Sequence, residues 1–336
     1  MRITPQKLWA WAQRFAKEQR AHPDVLTVYL SGSLLSRSPL LGGLTDIDVV
    51  CIWNRAPRAT HEIREVQPGI HLDIRHYPRE RFEPARQLRV DPWLGTEVFA
   101  ARPLLDPRHF FDRIQASVRS HFHDPEVAYR RALTLLNQAR EDWMSLNTLG
   151  DLPVFVERGL RLLYHAAHIP ATLRGYILPP RRFLQAFSVL AQMFQHPNWM
   201  GTLLQLLGAP RVSPEQMNAW LPAWEADYDA ALRTQPVQDP VLHPARKNYY
   251  TQGIRALLQD STPAQALYPL LWTWTRAVLR LPPEKRSAWE EAVHALAWHQ
   301  RETFLQGADA WLDTLEAFLD AWAREYGVEI GASWME

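Results

Sequence analysis

One cysteine in 336 residues, Cys51, is too few for an intramolecular disulfide or a cysteine-rich zinc site. It lies inside the apolar run VVCIW and reads as a buried core thiol. An excess of charge of either sign is missing too: the formal net charge is +1, so nothing global argues for nucleic acid as a partner. No apolar stretch approaches the ~20 residues needed to cross a bilayer. The opening MRITPQKLWAWAQRFAKEQR is amphipathic and has no apolar h-region. No secretory leader and no membrane partner are therefore expected, and the expected location is the cytoplasm. Internal repeats and low-complexity tracts are absent as well.

What is present is a hydrophobic fraction of 47%, ample for a packed core, in a chain whose length suits two domains. Residues 5–20 have the spacing of an amphipathic helix. Strands are expected at 24–31, at 47–53, which reads as buried on both faces, and at 69–77, with another in 97–105. From about Asp124 helical periods dominate: 125–148, 152–168, 181–195, 200–207, 214–233, 247–259, 263–280, 284–305 and 308–326, with prolines between them. The expected class is α+β: a first domain over 1–123 with a small mixed sheet, then an all-helical domain over 124–336. The latter has room for two sub-bundles meeting near 236–244. Most of the fifteen tryptophans fall in the helical half and read as core. Eight arginines lie between Asn54 and Val90, whereas residues 284–336 carry eleven acids against four bases.

The stretch VYLSGSLLSRSPLLGGLTDIDVVCIW, Val28 to Trp53, carries the most chemistry. It reads as strand, Gly-Ser turn, loop and second strand. Asp46 and Asp48, two apart, point to one face of that strand. Asp73 sits on a later strand and can complete a set of three. Mg²⁺ prefers carboxylate oxygens and keeps several waters, so two or three aspartates suffice to hold it. Two such ions can clamp the attacking and leaving oxygens of a phosphoryl group. Gly32 and Ser33 allow backbone N–H groups and a hydroxyl to approach a triphosphate, with Ser31 and Ser36 as weaker candidates.

Leu30-Ser31-Gly32-Ser33 followed by Asp46-Ile47-Asp48-Val49 resembles the signature of the DNA polymerase β-like nucleotidyltransferase superfamily. Ser31 departs from it, because an apolar residue usually precedes the glycine. The resemblance implies a nucleotidyltransferase domain over 1–123, two Mg²⁺ ions with a bound NTP, Gly32 and Ser33 on the triphosphate, and Asp46, Asp48 and Asp73 on the metals. The layout over 97–190 is similar to antibiotic nucleotidyltransferases of the kanamycin type. By that likeness the enzyme would move NMP, AMP by preference, from ATP to a hydroxyl of a small molecule such as an aminoglycoside. A site built across a homodimer is compatible with it. A carboxylate on a helix after the sheet would be the general base: Glu141 is the nearest positional match, with Asp142 and Glu97 as rivals. Arg181 or Arg182, after Pro179-Pro180, would meet a phosphate. His121, His123, His165 and His168 have no acids at metal-site spacing and read as packed or solvated. The alternatives are a nucleotidyltransferase acting on protein or RNA, as in toxin–antitoxin systems, and a non-catalytic nucleotide-binding scaffold.

Overall fold

The computed structural model describes residues 3–234 and 239–329. The first part runs α1 (Pro5–Gln19), β1 (Val25–Leu30), β2 (Ile47–Trp53), β3 (His61–Gln67), β4 (Ile70–Pro78), α2 (Leu94–Ala100), β5 (Arg102–Leu105) and α3 (Phe110–Arg119). The strands form one mixed sheet in the order β3-β4-β2-β1-β5. Only β2 and β4 are parallel neighbours. Helices follow: α4 (Pro125–Leu146), α5 (Leu152–Leu173), α6 (Phe183–Met193), α7 (Asn198–Leu206), α8 (Pro214–Leu232), α9 (Pro244–Leu258), α10 (Leu267–Val278), α11 (Ser287–Ala295) and α12 (Arg301–Glu325). The α+β class is as expected. Among the described residues no helix is long and apolar enough to cross a membrane.

The sheet is covered on both faces, which explains why β1 and β2 read as near-continuous apolar runs. On one face Leu8, Ala12, Phe15 and Ala16 of α1 pack with Val28, Leu30, Val49, Cys51 and Ile74. Burial there pushes the Cys51 thiol up to about 12, so it is an inert core group. On the other face Leu26, Tyr29, Val50 and Ile52 meet Val98 of α2 and Phe111, Ile114 and Val118 of α3. A separate core runs through the helical half from Ala128 to Ala323. Five tryptophans, Trp224, Trp274, Trp289, Trp298 and Trp311, are fully buried, as expected of core residues.

Four expectations need correction. Residues 97–105 are not one strand: Leu94–Ala100 is helical and only Arg102–Leu105 pairs with β1. The Asp91 carboxylate accepts from the Trp93 and Leu94 N–H groups, each at 2.8 Å, and so caps that helix start. Strand β3 was not expected, because HEIREVQ at the sheet edge is half-exposed and has no apolar run. Helix α5 continues through Pro170 to Leu173 rather than ending at 168. Finally, the break between the last two helices lies around 296–300, where Ala297 takes φ 64°, and Gly307 sits inside α12. Of the expected sub-bundle junction, residues 235–238 lie outside the described residues.

Candidate metal centre

The parallel pairing of β2 and β4 sets Asp48 directly beside Asp73. Asp46, just ahead of β2, has the same parity as Asp48 and faces the same way. Each of the three offers a carboxylate oxygen within 4.8 Å of the others. The anticipated convergence of Asp46, Asp48 and Asp73 is therefore present, and the group can hold a metal ion. The Gly-Ser turn is built against it. Gly32 takes φ 71° and ψ −157°, a region open essentially to glycine alone. A Cβ there would lie 1.8 Å from Asp48 Oδ2, so the absent side chain is what lets the carboxylate rest on the backbone. Ser33 Oγ lies 2.5 Å from Thr45 Oγ1, and Thr45 Oγ1 donates to Asp46 Oδ1 at 3.4 Å. The turn and the acids form one hydroxyl-linked unit.

Three carboxylates in a poorly hydrated corner repel each other. Burial, and then the Asp46 charge, raise Asp48 to about 7, while Arg75 and Arg246 pull the other way. An all-oxygen donor set of this charge fits Mg²⁺ rather than a softer metal. Arg75 of β4 lies on the same face, donating to Glu97 Oε2 at 2.5 Å and to Ser31 Oγ at 2.9 Å. The Tyr29 hydroxyl donates to Glu97 Oε1 at 2.7 Å. Glu97 is thus fully engaged beneath the acids.

Arg181 is buried. It donates to the carbonyls of Leu44 at 2.7 Å and Tyr249 at 2.9 Å, and its guanidinium carbon lies 3.7 Å from the Tyr249 ring centroid. Arg182 donates to Pro39 O at 3.1 Å. Both arginines expected to meet a phosphate thus hydrogen-bond the loop between Ser33 and Asp46. Glu141 is exposed on α4, outside the acid cluster. Its neighbour Asp142 is buried and paired with Arg161 and with His165, at 2.9 Å. Burial raises the Asp142 carboxyl, but the His165 and Arg161 hydrogen bonds outweigh it and hold the group below the usual range. Its place on an apolar stripe is explained by that pairing. His168 accepts from the Leu178 N–H at 2.9 Å, with its other nitrogen 2.7 Å from Tyr164 O, and is a packed histidine as expected.

Sequence reasoning missed Arg246, His61 and His71. Arg246, on α9, pairs with Asp73 and approaches Asp46 at 3.9 Å. His61, on the unexpected β3, pairs with the other oxygen of Asp73. Burial and then the Arg246 charge lower His61 to about 4. His71, two residues before Asp73, is buried with neither ring nitrogen hydrogen-bonded. HEIREVQ hides His61 among charged residues, and nothing in PARKNYYTQ ties Arg246 to a motif about two hundred positions earlier. Comparison of the chain with protein-family models gives no match, and neither does comparison with curated proteins.

Proposed function

We propose that the chain is a Mg²⁺-dependent nucleotidyltransferase that moves NMP from an NTP, ATP by preference, to a hydroxyl of a small molecule. The acceptor oxygen bonds to the α-phosphorus, the bond to pyrophosphate breaks, and the hydroxyl proton passes to a carboxylate. The observation that carries this reading is the convergence of Asp46, Asp48 and Asp73 against the side-chain-free surface of Gly32. Bound divalent cations would supply charge stabilisation on the transferring phosphoryl group. Asp46, Asp48 and Asp73 would hold them. Gly32 and the Ser33 hydroxyl would face the triphosphate, with Arg181 and Arg182 fixing the loop behind.

Of the three carboxylates considered for the base, Asp142 and Glu97 are committed to cations and a tyrosine, whereas Glu141 is exposed with no side-chain partner among the described residues. That leaves Glu141 as the uncommitted carboxylate of the three, and transfer unchanged in Glu141→Gln rules it out as the base. Three of the six acids of α12, Asp309, Asp313 and Glu316, pair with Arg140 of α4 and are not free for a polyamine acceptor. The test is a screen with α-labelled NTPs and Mg²⁺ against small hydroxyl compounds, proteins and RNA. Label on a small compound, lost in Asp48→Asn, is the expected result. Label on protein or RNA instead moves the chain to the macromolecule-modifying class. Transfer that survives Asp48→Asn sinks the metal assignment.

A further inference from the structure

Arg246 poses a problem that nucleotidyl transfer at Asp46, Asp48 and Asp73 does not itself solve. It comes from α9 of the helical half and reaches across to the sheet, where its guanidinium is paired with Asp73 and lies 3.9 Å from Asp46. A permanent ion pair on a metal carboxylate would compete with the cation that carboxylate is meant to hold. Yet a buried arginine with nothing to bind when the metal enters would be equally costly.

Two further observations indicate what it binds instead. Arg246 is 8% exposed, and its Nε–H is buried with no partner among the described residues. His71, on the same strand face as Asp73, is 1% exposed, and neither of its nitrogens has a partner either. Buried donors are normally satisfied, so unsatisfied ones beside a charged cluster mark where a ligand's acceptor atoms belong. A guanidinium fork matches phosphate oxygens as well as it matches a carboxylate. Lys247 beside it is already paired with Asp229 at 2.6 Å, so Arg246 is the group of this turn that faces the acids.

We propose that Arg246 is a triphosphate ligand stored on the metal carboxylates. Without nucleotide it neutralises Asp73 and Asp46. With metal and nucleotide present it exchanges Asp73 for a phosphate oxygen, and α9 then closes on the substrate. The helical half would in this way sense occupancy of the sheet. The proposal rests on the nucleotidyltransferase reading, and the experiment below separates the two.

Because the two roles have opposite consequences, binding measurements on the full chain decide. Mn²⁺ affinity is read by water-proton relaxation in the absence of nucleotide. Affinity for α,β-methylene-ATP is then read by calorimetry at saturating Mn²⁺. Arg246→Gln is expected to bind Mn²⁺ about tenfold more tightly and the analogue about tenfold more weakly, as loss of one charged hydrogen-bonding group implies. Arg246→Lys, which keeps the charge and serves if the glutamine variant does not fold, is expected to shift both constants in the same directions by less. A purely structural arginine would weaken both ligands together. That outcome, or unchanged Mn²⁺ affinity, or unchanged analogue affinity, overturns the proposal and leaves nucleotidyl transfer standing. Failure of the unsubstituted protein to bind the analogue overturns both.

Discussion

Arg246 meets Asp46 and Asp73 over the inner strands of the sheet, and Arg140 meets Asp309, Asp313 and Glu316 on the outside of the helical half. The first cluster sets its arginine against two of three acids, the second against all three. In the second the acids lie along one helix, with side chains 41%, 68% and 50% exposed, so water solvates each one and Arg140 adds little. In the first, Asp46 and Asp73 are 9% and 8% exposed, one just ahead of β2 and the other on β4. Their charges have no outlet to solvent, and a dication gains most there. Counting acids along the sequence draws attention to the C-terminal helices. The parity of β2 and its pairing with β4 identify the other cluster.

The widest separation between the two clusters should appear in label transfer. Asp48→Asn is expected to lower it about a thousandfold or more, several kcal/mol of transition-state stabilisation. Asp313→Asn should leave it unchanged. The same pair tests the electrostatics without catalysis. Asp48 is raised to about 7 in the folded chain, against ~4 for an unfolded aspartate. The folded state therefore holds that proton more tightly. Stability contributed by the protonated form is present at low pH and is lost as pH rises towards about 7, then levels off. Because the buried His61, His71 and His168 are depressed and oppose this trend below about pH 6.5, the Asp48 contribution is read as a difference. Relative to Asp48→Asn, urea midpoints in EDTA of the unsubstituted protein and of Asp313→Asn should fall as pH rises from 5 to 8; a pH-independent difference contradicts the assignment.

A second contrast lies within the loop that delivers the acids. Gly32 and Gly43 both have positive φ, 71° and 75°, but only Gly32 has an atom in the way of a Cβ. Gly32→Ala must displace the Asp48 carboxylate as well as strain the backbone. The expectation is ~2–3 kcal/mol in denaturant unfolding and about a hundredfold in transfer, the scale of a misplaced reacting group. Gly43→Ala should cost only about 1 kcal/mol of left-handed strain and leave transfer intact. Equal effects at the two positions would mean that the contact with Asp48 is immaterial.

What could be read in advance follows the same division. β1, β2, β4 and α1 were legible because each buries an apolar face whose period shows in the residues. Asp46, Asp48 and Asp73 were legible because two share a strand and the third interrupts an apolar alternation. β3 was not, since an edge strand with His61, Glu62, Arg64 and Glu65 has no such period, and with it went His61. The Glu97 segment misled because Val98 and Phe99 favour strands while the Asp91 cap that starts the helix lies upstream. Arg181 was singled out for phosphate, yet its partners, Leu44 O and Tyr249 O, are carbonyls that any residue supplies. Contacts to backbone leave no trace in side-chain identity.

That clamp makes Arg181 the next most sensitive position. Arg181→Ala removes two charge-assisted hydrogen bonds from a site 4% exposed and should cost about 3 kcal/mol. Transfer should fall through the loosened loop, with the KM for NTP moving less than kcat. A rise in KM alone would instead place the guanidinium on the nucleotide.

The smallest effect is expected at Arg140, and it sharpens the comparison from the other side. Its three carboxylate partners, at 2.7, 2.5 and 2.8 Å, outnumber the two that Arg246 meets. Judged by the number of ion pairs alone, Arg140→Gln should be the more damaging change. Judged by exposure, it should cost at most about 1 kcal/mol, and most of that should vanish in 1 M salt, where the screening length is ~3 Å. Unfolding midpoints of Arg140→Gln at low and high salt discriminate between the two views. A large, salt-insensitive loss would show that the α4–α12 contact is structural after all. In that case burial would no longer separate this cluster from the one on the inner strands of the sheet.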